Sequence, residues 1–185
     1  MKFNFVKAVL AAMFLMGTGS FGADGKGEDL KKKEEEIQRL KLQLEQAQKE
    51  IKVLRKELKA RLPAPLRSFS SARGRGRLMK LHYGRPEFHY EVWHHTGAGR
   101  LEIGLHFEGS AADNQEAFDF FREHMLEVKA QLPRAELEPW DRGWARLYET
   151  LPAPQLDEGV LDDAASRMAA YIVTLQPLLD NLRKD

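Results

Sequence analysis

Residues 88–107 read FHYEVWHHTGAGRLEIGLHF, and the alternation in this stretch decides the fold class. Phe88, Tyr90 and Val92 alternate with His89, Glu91 and Trp93. Beyond Thr96, Gly97, Ala98 and Gly99, the apolar Leu101, Ile103, Leu105 and Phe107 alternate with Glu102, Gly104, His106 and Glu108. A period of two is the strand period, and two such runs around a glycine-bearing turn predict a β-hairpin. Closing the turn with His95 opposite Arg100 sets Val92 against Ile103, Tyr90 against Leu105 and Phe88 against Phe107. One face is then an unbroken apolar ladder.

The opposite face carries the candidate chemistry. In that register His89 stands across from His106, Glu91 lies two residues along, and Glu87 faces Glu108. Directly opposed side chains have Cβ atoms about 5 Å apart, so two imidazoles and a carboxylate can converge on a divalent cation such as zinc. The candidate metal ligands are therefore His89, Glu91 and His106, with Glu102 or Glu108 as a general base for a metal-bound water in a hydrolase. The plain alternative is the polar face of a sheet whose other side is buried.

Downstream, a helix is expected from Asp113, which caps it while Glu116 completes a capping box. Its buried stripe is Ala117, Phe118, Phe121, Met125, Val128 and Leu132, and Pro133 stops it. Residues 135–140 and 144–149 read as two short strands around Asp141, Arg142 and Gly143. After Pro152 and Pro154, a last helix from Glu158 carries Leu161, Ala165, Met168, Ile172, Leu175 and Leu179 on one side, with Pro177 kinking it or starting a final turn. The expectation is an α+β domain over residues 78–185 in ββαββα order, both helices on one face of an antiparallel sheet.

Upstream the period changes. Leu30, Ile37, Leu44, Ile51 and Leu58 at heptad position a place Leu40, Ala47 and Leu54 at d, which predicts a coiled coil over residues 28–62. Glu36 at g faces Lys41 at the following e of a parallel partner, and Glu50 faces Arg55. Isoleucine at two a positions with leucine at two d positions favours a parallel dimer, and leucine at the other a positions keeps a trimer open. The alternative is a single charged helix lying on the C-terminal domain. Pro63 and Pro65 end this helix, and residues 63–77 read as a basic linker rich in proline, serine, glycine and arginine.

Residues 1–22 have the three parts of an export signal: Lys2 and Lys7, an apolar run from Ala8 to Met16, and small residues placing cleavage before Ala23. An uncleaved inner-membrane anchor is the alternative. With no cysteine in 185 residues, disulfides, thiolate metal sites and a lipoprotein anchor are excluded. The net charge of +1 hides an asymmetry: residues 61–86 hold no acid, whereas from Glu87 onward acids outnumber bases by roughly two to one. Arg67, Arg73, Arg75 and Arg77 suit an anionic envelope surface, or nucleic acid if the signal is not used.

Several conspicuous residues take structural readings. His94 and His95 are expected as exposed turn residues, His124 as a boundary residue of the first helix, and Trp140, Trp144 and Tyr148 as core rather than a platform for a ligand such as a sugar. No phosphate loop, serine elbow or nuclease spacing is present. The expected function is an exported, coiled-coil oligomeric binding or scaffolding protein of the cell envelope, periplasmic or secreted. The alternatives are a metal-dependent hydrolase and a cytosolic nucleic-acid-binding protein.

Overall fold

The computed structural model describes residues 23–72 and 77–182. The export signal read in residues 1–22, together with Arg73 and Arg75, lies outside the described residues. The chain divides into two units, residues 1–42 and 43–185.

The described part of the first unit is the beginning of helix α1, Ala23–Arg61. From residue 28 to residue 42 every side chain is exposed except Ile37, which is half-buried. Leu30, Leu40 and Leu42 are 55%, 52% and 67% exposed. Ion pairs one turn apart, Lys32 with Glu28 at 3.0 Å and Lys33 with Asp29 at 2.8 Å, support the helix locally.

The second unit is a six-stranded antiparallel sheet with helices on one side. Its strands are β1 Ser70–Ala72, β2 Leu78–His82, β3 Phe88–His95, β4 Arg100–Phe107, β5 Glu136–Pro139 and β6 Ala145–Pro152, in the spatial order β1-β2-β3-β4-β6-β5. The β3–β4 register is the predicted one: Phe88 pairs with Phe107, His89 with His106, Val92 with Ile103 and His95 with Arg100. Gly99 at φ 58° supplies the left-handed residue that turns the chain between them.

Met79, Leu81, Phe88, Tyr90, Val92, Leu101, Ile103, Leu105, Phe107 and Leu147 line one face of the sheet, all nearly inaccessible to solvent. Helix α2 (Ala111–Glu123) covers it through Phe121, stacked 5.5 Å from Phe107. Helix α3 (Met125–Gln131) follows through Val128. Helix α4 (Glu158–Asn181) covers it through Leu161, Met168, Ile172 and Leu175, and Gln176 accepts a hydrogen bond from Tyr90 at 3.2 Å.

A further helical layer comes from the end of α1. Leu54, Leu58 and Leu62 belong to the same hydrophobic core, at 4%, 0% and 1% exposure. Arg61 ties this end to α4 through Asp162 and, at 3.1 Å, Ser166. Ala47, Leu54 and Leu58, read above as coiled-coil seam, are thus buried within the unit formed by residues 43–185.

Four expectations need correction. The strand order begins two strands earlier than ββαββα, because β1 and β2 extend the sheet beyond β3. The described first part of the expected linker, residues 63–72, is not bare: Ala64–Leu66 form a 3-10 turn, Leu66 and Phe69 pack on the core, and Tyr83 donates to the Leu66 carbonyl at 2.6 Å. The cap of α2 is Ser110 rather than Asp113; its hydroxyl accepts from the Asp113 amide at 3.2 Å, satisfying an otherwise orphaned donor. The expected first helix is broken at His124, whose φ of −92° and ψ of 7° leave the helical region and separate α2 from α3. Pro177 lies inside α4 at an exposed position, four residues after exposed Val173, whose carbonyl loses its helical donor there.

Candidate functional site

The other face of the sheet is polar in sequence but closed to solvent. His89 and Glu91 are each 2% exposed, and Glu102 and His106 are 0% exposed. Pairing brings Lys80 opposite Glu91, Glu91 opposite Gly104, and His106 opposite Arg146. Gly104 is required here: a Cβ at this position would lie 2.6 Å from both the Leu147 carbonyl oxygen and Tyr148 Cβ. Its absence lets β6 close on β4. Trp140 meets His106 edge-on at 5.4 Å, and the Arg146 guanidinium lies 4.0 Å from the Tyr148 ring and 4.9 Å from the Trp140 ring.

The site has two halves. In the first, His89 Nδ1 lies 2.8 Å from the Pro86 carbonyl and donates to it. That bond orients the ring and turns Nε2 into the cluster, the kind of outer support that positions an imidazole as a cation ligand. Nε2 faces Glu91 Oε1 at 2.8 Å, Glu108 Oε2 at 3.8 Å and the Lys80 ammonium at 3.0 Å. Lys80 also pairs with Glu91, and with Glu108 at 3.2 Å. Burial opposes charge on both partners, yet hydrogen bonds and charges prevail. Against burial, the His89 hydrogen bond, His106 and Lys80 pull the Glu91 carboxyl down to about 2. Against burial likewise, Glu91 and Glu108 hold the Lys80 ammonium above its ordinary value.

In the second half, Arg146 Nη1 donates to both Glu102 oxygens at 2.9 Å, and its Nε reaches Glu138 at 3.0 Å. Despite burial, His106, Arg146 and His95 keep the Glu102 carboxyl below its ordinary range. This clamp occupies Glu102, which removes it as a general base. His106 stands between the halves, with Nδ1 3.9 Å from Glu91 and Nε2 3.4 Å from Glu102. Neither nitrogen makes an aligned hydrogen bond although both are buried.

The structure therefore brings His89, Glu91 and His106 together, as the hairpin register implies, and adds Glu108: one ligand atom from each lies within 4.8 Å of the others. Lys80 and Arg146 were not anticipated. The signal for Lys80 was the alternation of Leu78, Lys80 and His82 with Met79 and Leu81, hidden by the glycine and arginine run before it.

Other expectations are corrected. His94 is buried, with Nε2 2.8 Å from the Ala153 carbonyl, because its position faces the apolar side. His95 is half-buried, its ring 4.0 Å from that of Trp93 and Nε2 3.3 Å from Glu102. Trp140, Trp144 and Tyr148 are half-buried rather than core; Trp140 and Tyr148 flank the polar face around Arg146. His124 sits at a boundary as expected, Nδ1 2.8 Å from the Phe120 carbonyl. Of the arginines read as an anion-binding collar, Arg77 pairs with the buried Glu50 at 2.9 Å, and exposed Arg67 donates to the Leu62 carbonyl at 2.8 Å.

Among the described residues no helix is long and apolar enough to cross a membrane. Comparison with protein-family models, with curated proteins and with solved structures finds no match to the chain.

Proposed function

We propose that the chain is an exported, self-associating binding or scaffolding protein of the cell envelope, whose copies pair in parallel along the first part of α1. One observation carries the pairing: Leu30, Leu40 and Leu44 are 55%, 52% and 51% exposed on a heptad frame. Half-buried Ile37 shares that frame. Isolated surface leucines need no explanation, but a row at a and d spacing is the pattern that knobs-into-holes packing buries. Charge agrees with the apolar row, because Glu36 at g and Lys41 at e attract each other between parallel copies. Pairing would set two domains side by side and raise avidity for a repeated ligand.

The absence of cysteine makes a direct test available. In a parallel pair, a Leu44→Cys chain sets two thiols face to face at position a and forms a disulfide-linked dimer under mild oxidation. A Leu42→Cys chain, on the opposite side of the helix, stays uncrosslinked. Equal crosslinking of both, or of neither, contradicts the proposal. Export rests on residues 1–22: a native chain beginning at Ala23 outside the cytoplasm supports it, and an intact Met1 in the cytosol overturns it.

A further inference from the structure

The Lys80 ammonium lies among three of the four atoms grouped on the polar sheet face. Its neighbours are His89 Nε2 at 3.0 Å, Glu108 Oε2 at 3.2 Å and Glu91 Oε1. All three atoms turn toward one point, a convergence of the kind that surrounds a positive charge, and here that charge belongs to the protein's own side chain. The fourth group, His106, directs Nδ1 toward Glu91 from 3.9 Å with no aligned hydrogen bond of its own.

We propose that His89, Glu91, His106 and Glu108 form a binding site for a divalent first-row transition metal ion such as zinc, with Lys80 as a built-in competitor that the ion displaces.

The geometry suits that ion. Ligand atoms about 2 Å from a tetrahedral zinc stand about 3.3 Å from one another. His89 Nε2 stands 2.8 Å from Glu91 Oε1 and 3.8 Å from Glu108, His106 Nδ1 stands 3.9 Å from the other Glu91 oxygen, and the four ligand atoms spread over up to 4.8 Å, so the side chains draw together to hold an ion. Two imidazoles with two carboxylates suit zinc and its neighbours, whereas magnesium and calcium prefer oxygen alone. The Pro86 carbonyl on His89 Nδ1 provides the outer support that ligating histidines require. Charge points the same way: Glu91 and Glu108 bring two carboxylates against the single ammonium of Lys80. Lys80 can yield its place because its side chain is 20% exposed and its flexible stem reaches solvent without moving a strand.

The test is calorimetric titration of zinc chloride into a chain spanning residues 23–185, with magnesium chloride as control. One zinc site and no magnesium binding are expected. A Lys80→Met chain should bind zinc at least about tenfold more tightly, since a unit charge a few Å from a divalent ion repels it strongly in a partly buried site. A Glu108→Gln chain, altered at the 18% exposed rim where folding tolerates change, should bind about tenfold more weakly. Cobalt in place of zinc should give a tetrahedral visible absorption band that His106→Ala removes. Zinc uptake by neither the wild type nor Lys80→Met overturns the proposal, as does a Glu108→Gln chain that binds zinc as tightly as wild type. If Lys80→Met fails to fold, wild type and Glu108→Gln decide the matter alone.

Discussion

Helix α1 carries one heptad frame with two different fates. At Leu30, Leu40 and Leu44 the frame is open to solvent, and at Leu54 and Leu58 it is closed, with 4% and 0% exposure. The spacing and residue types are alike in both stretches, so periodicity reports that a face is apolar without naming what covers it. Around Ile51 and Leu54 the cover is the domain's own Met79, Val92, Leu101 and Leu161. For the earlier stretch we propose a second copy.

Truncating a leucine in each stretch should have opposite consequences. Leu58→Ala empties a fully buried position and should cost about 2–5 kcal/mol of domain stability by chemical denaturation. Leu40→Ala, on the exposed stretch, should leave domain stability within about 0.5 kcal/mol while weakening self-association. Equal losses from both would erase the distinction.

A contrast of the same kind crosses the sheet, where one face is closed by helices and the other by its own charges. Gly104 holds that second closure. Gly104→Ala, which drives a methyl into the β6 backbone, should cost about 1–3 kcal/mol and loosen the polar face, seen as increased exposure of Trp140 in fluorescence quenching.

The two faces should also fail at opposite ends of the pH scale. Glu91 is pulled from 4.5 to about 2, so its contribution is fully present above about pH 4.5 and lost as pH falls toward 2. Tyrosines packed with the apolar side behave inversely. Burial raises Tyr90 and Tyr171, and raises Tyr83 from 10.0 to about 12, so their contribution is present below pH 10 and lost as pH rises beyond it. Denaturation midpoints measured across pH should fall in both directions, and Glu91→Gln should flatten the acid limb alone. An unchanged acid limb would remove Glu91 from the account.

The hairpin was legible because period two, a glycine turn and aromatic or β-branched residues agree over residues 88–107, and that agreement alone places His89 beside His106. What sequence could not convey was burial of the polar face. It depends on Lys80 from a five-residue strand following the arginine and glycine run, and on Arg146 and Trp140 arriving from the far edge of the sheet. Strand β1, two serines and an alanine at an edge, lacks the apolar alternation that would mark it. The true helix cap was hidden for a local reason: Ser110 and Asp113 both suit the position, and only the hydrogen bond to the Asp113 amide distinguishes them.

Sedimentation of a chain beginning at Ala23, at micromolar concentration, tests the proposed pairing most directly. A dimer or trimer is expected, which the combined Leu30→Ser, Leu40→Ser and Leu44→Ser substitutions convert to a folded monomer with the helical and sheet signals of the domain retained. A wild-type chain that sediments as a monomer would contradict the pairing.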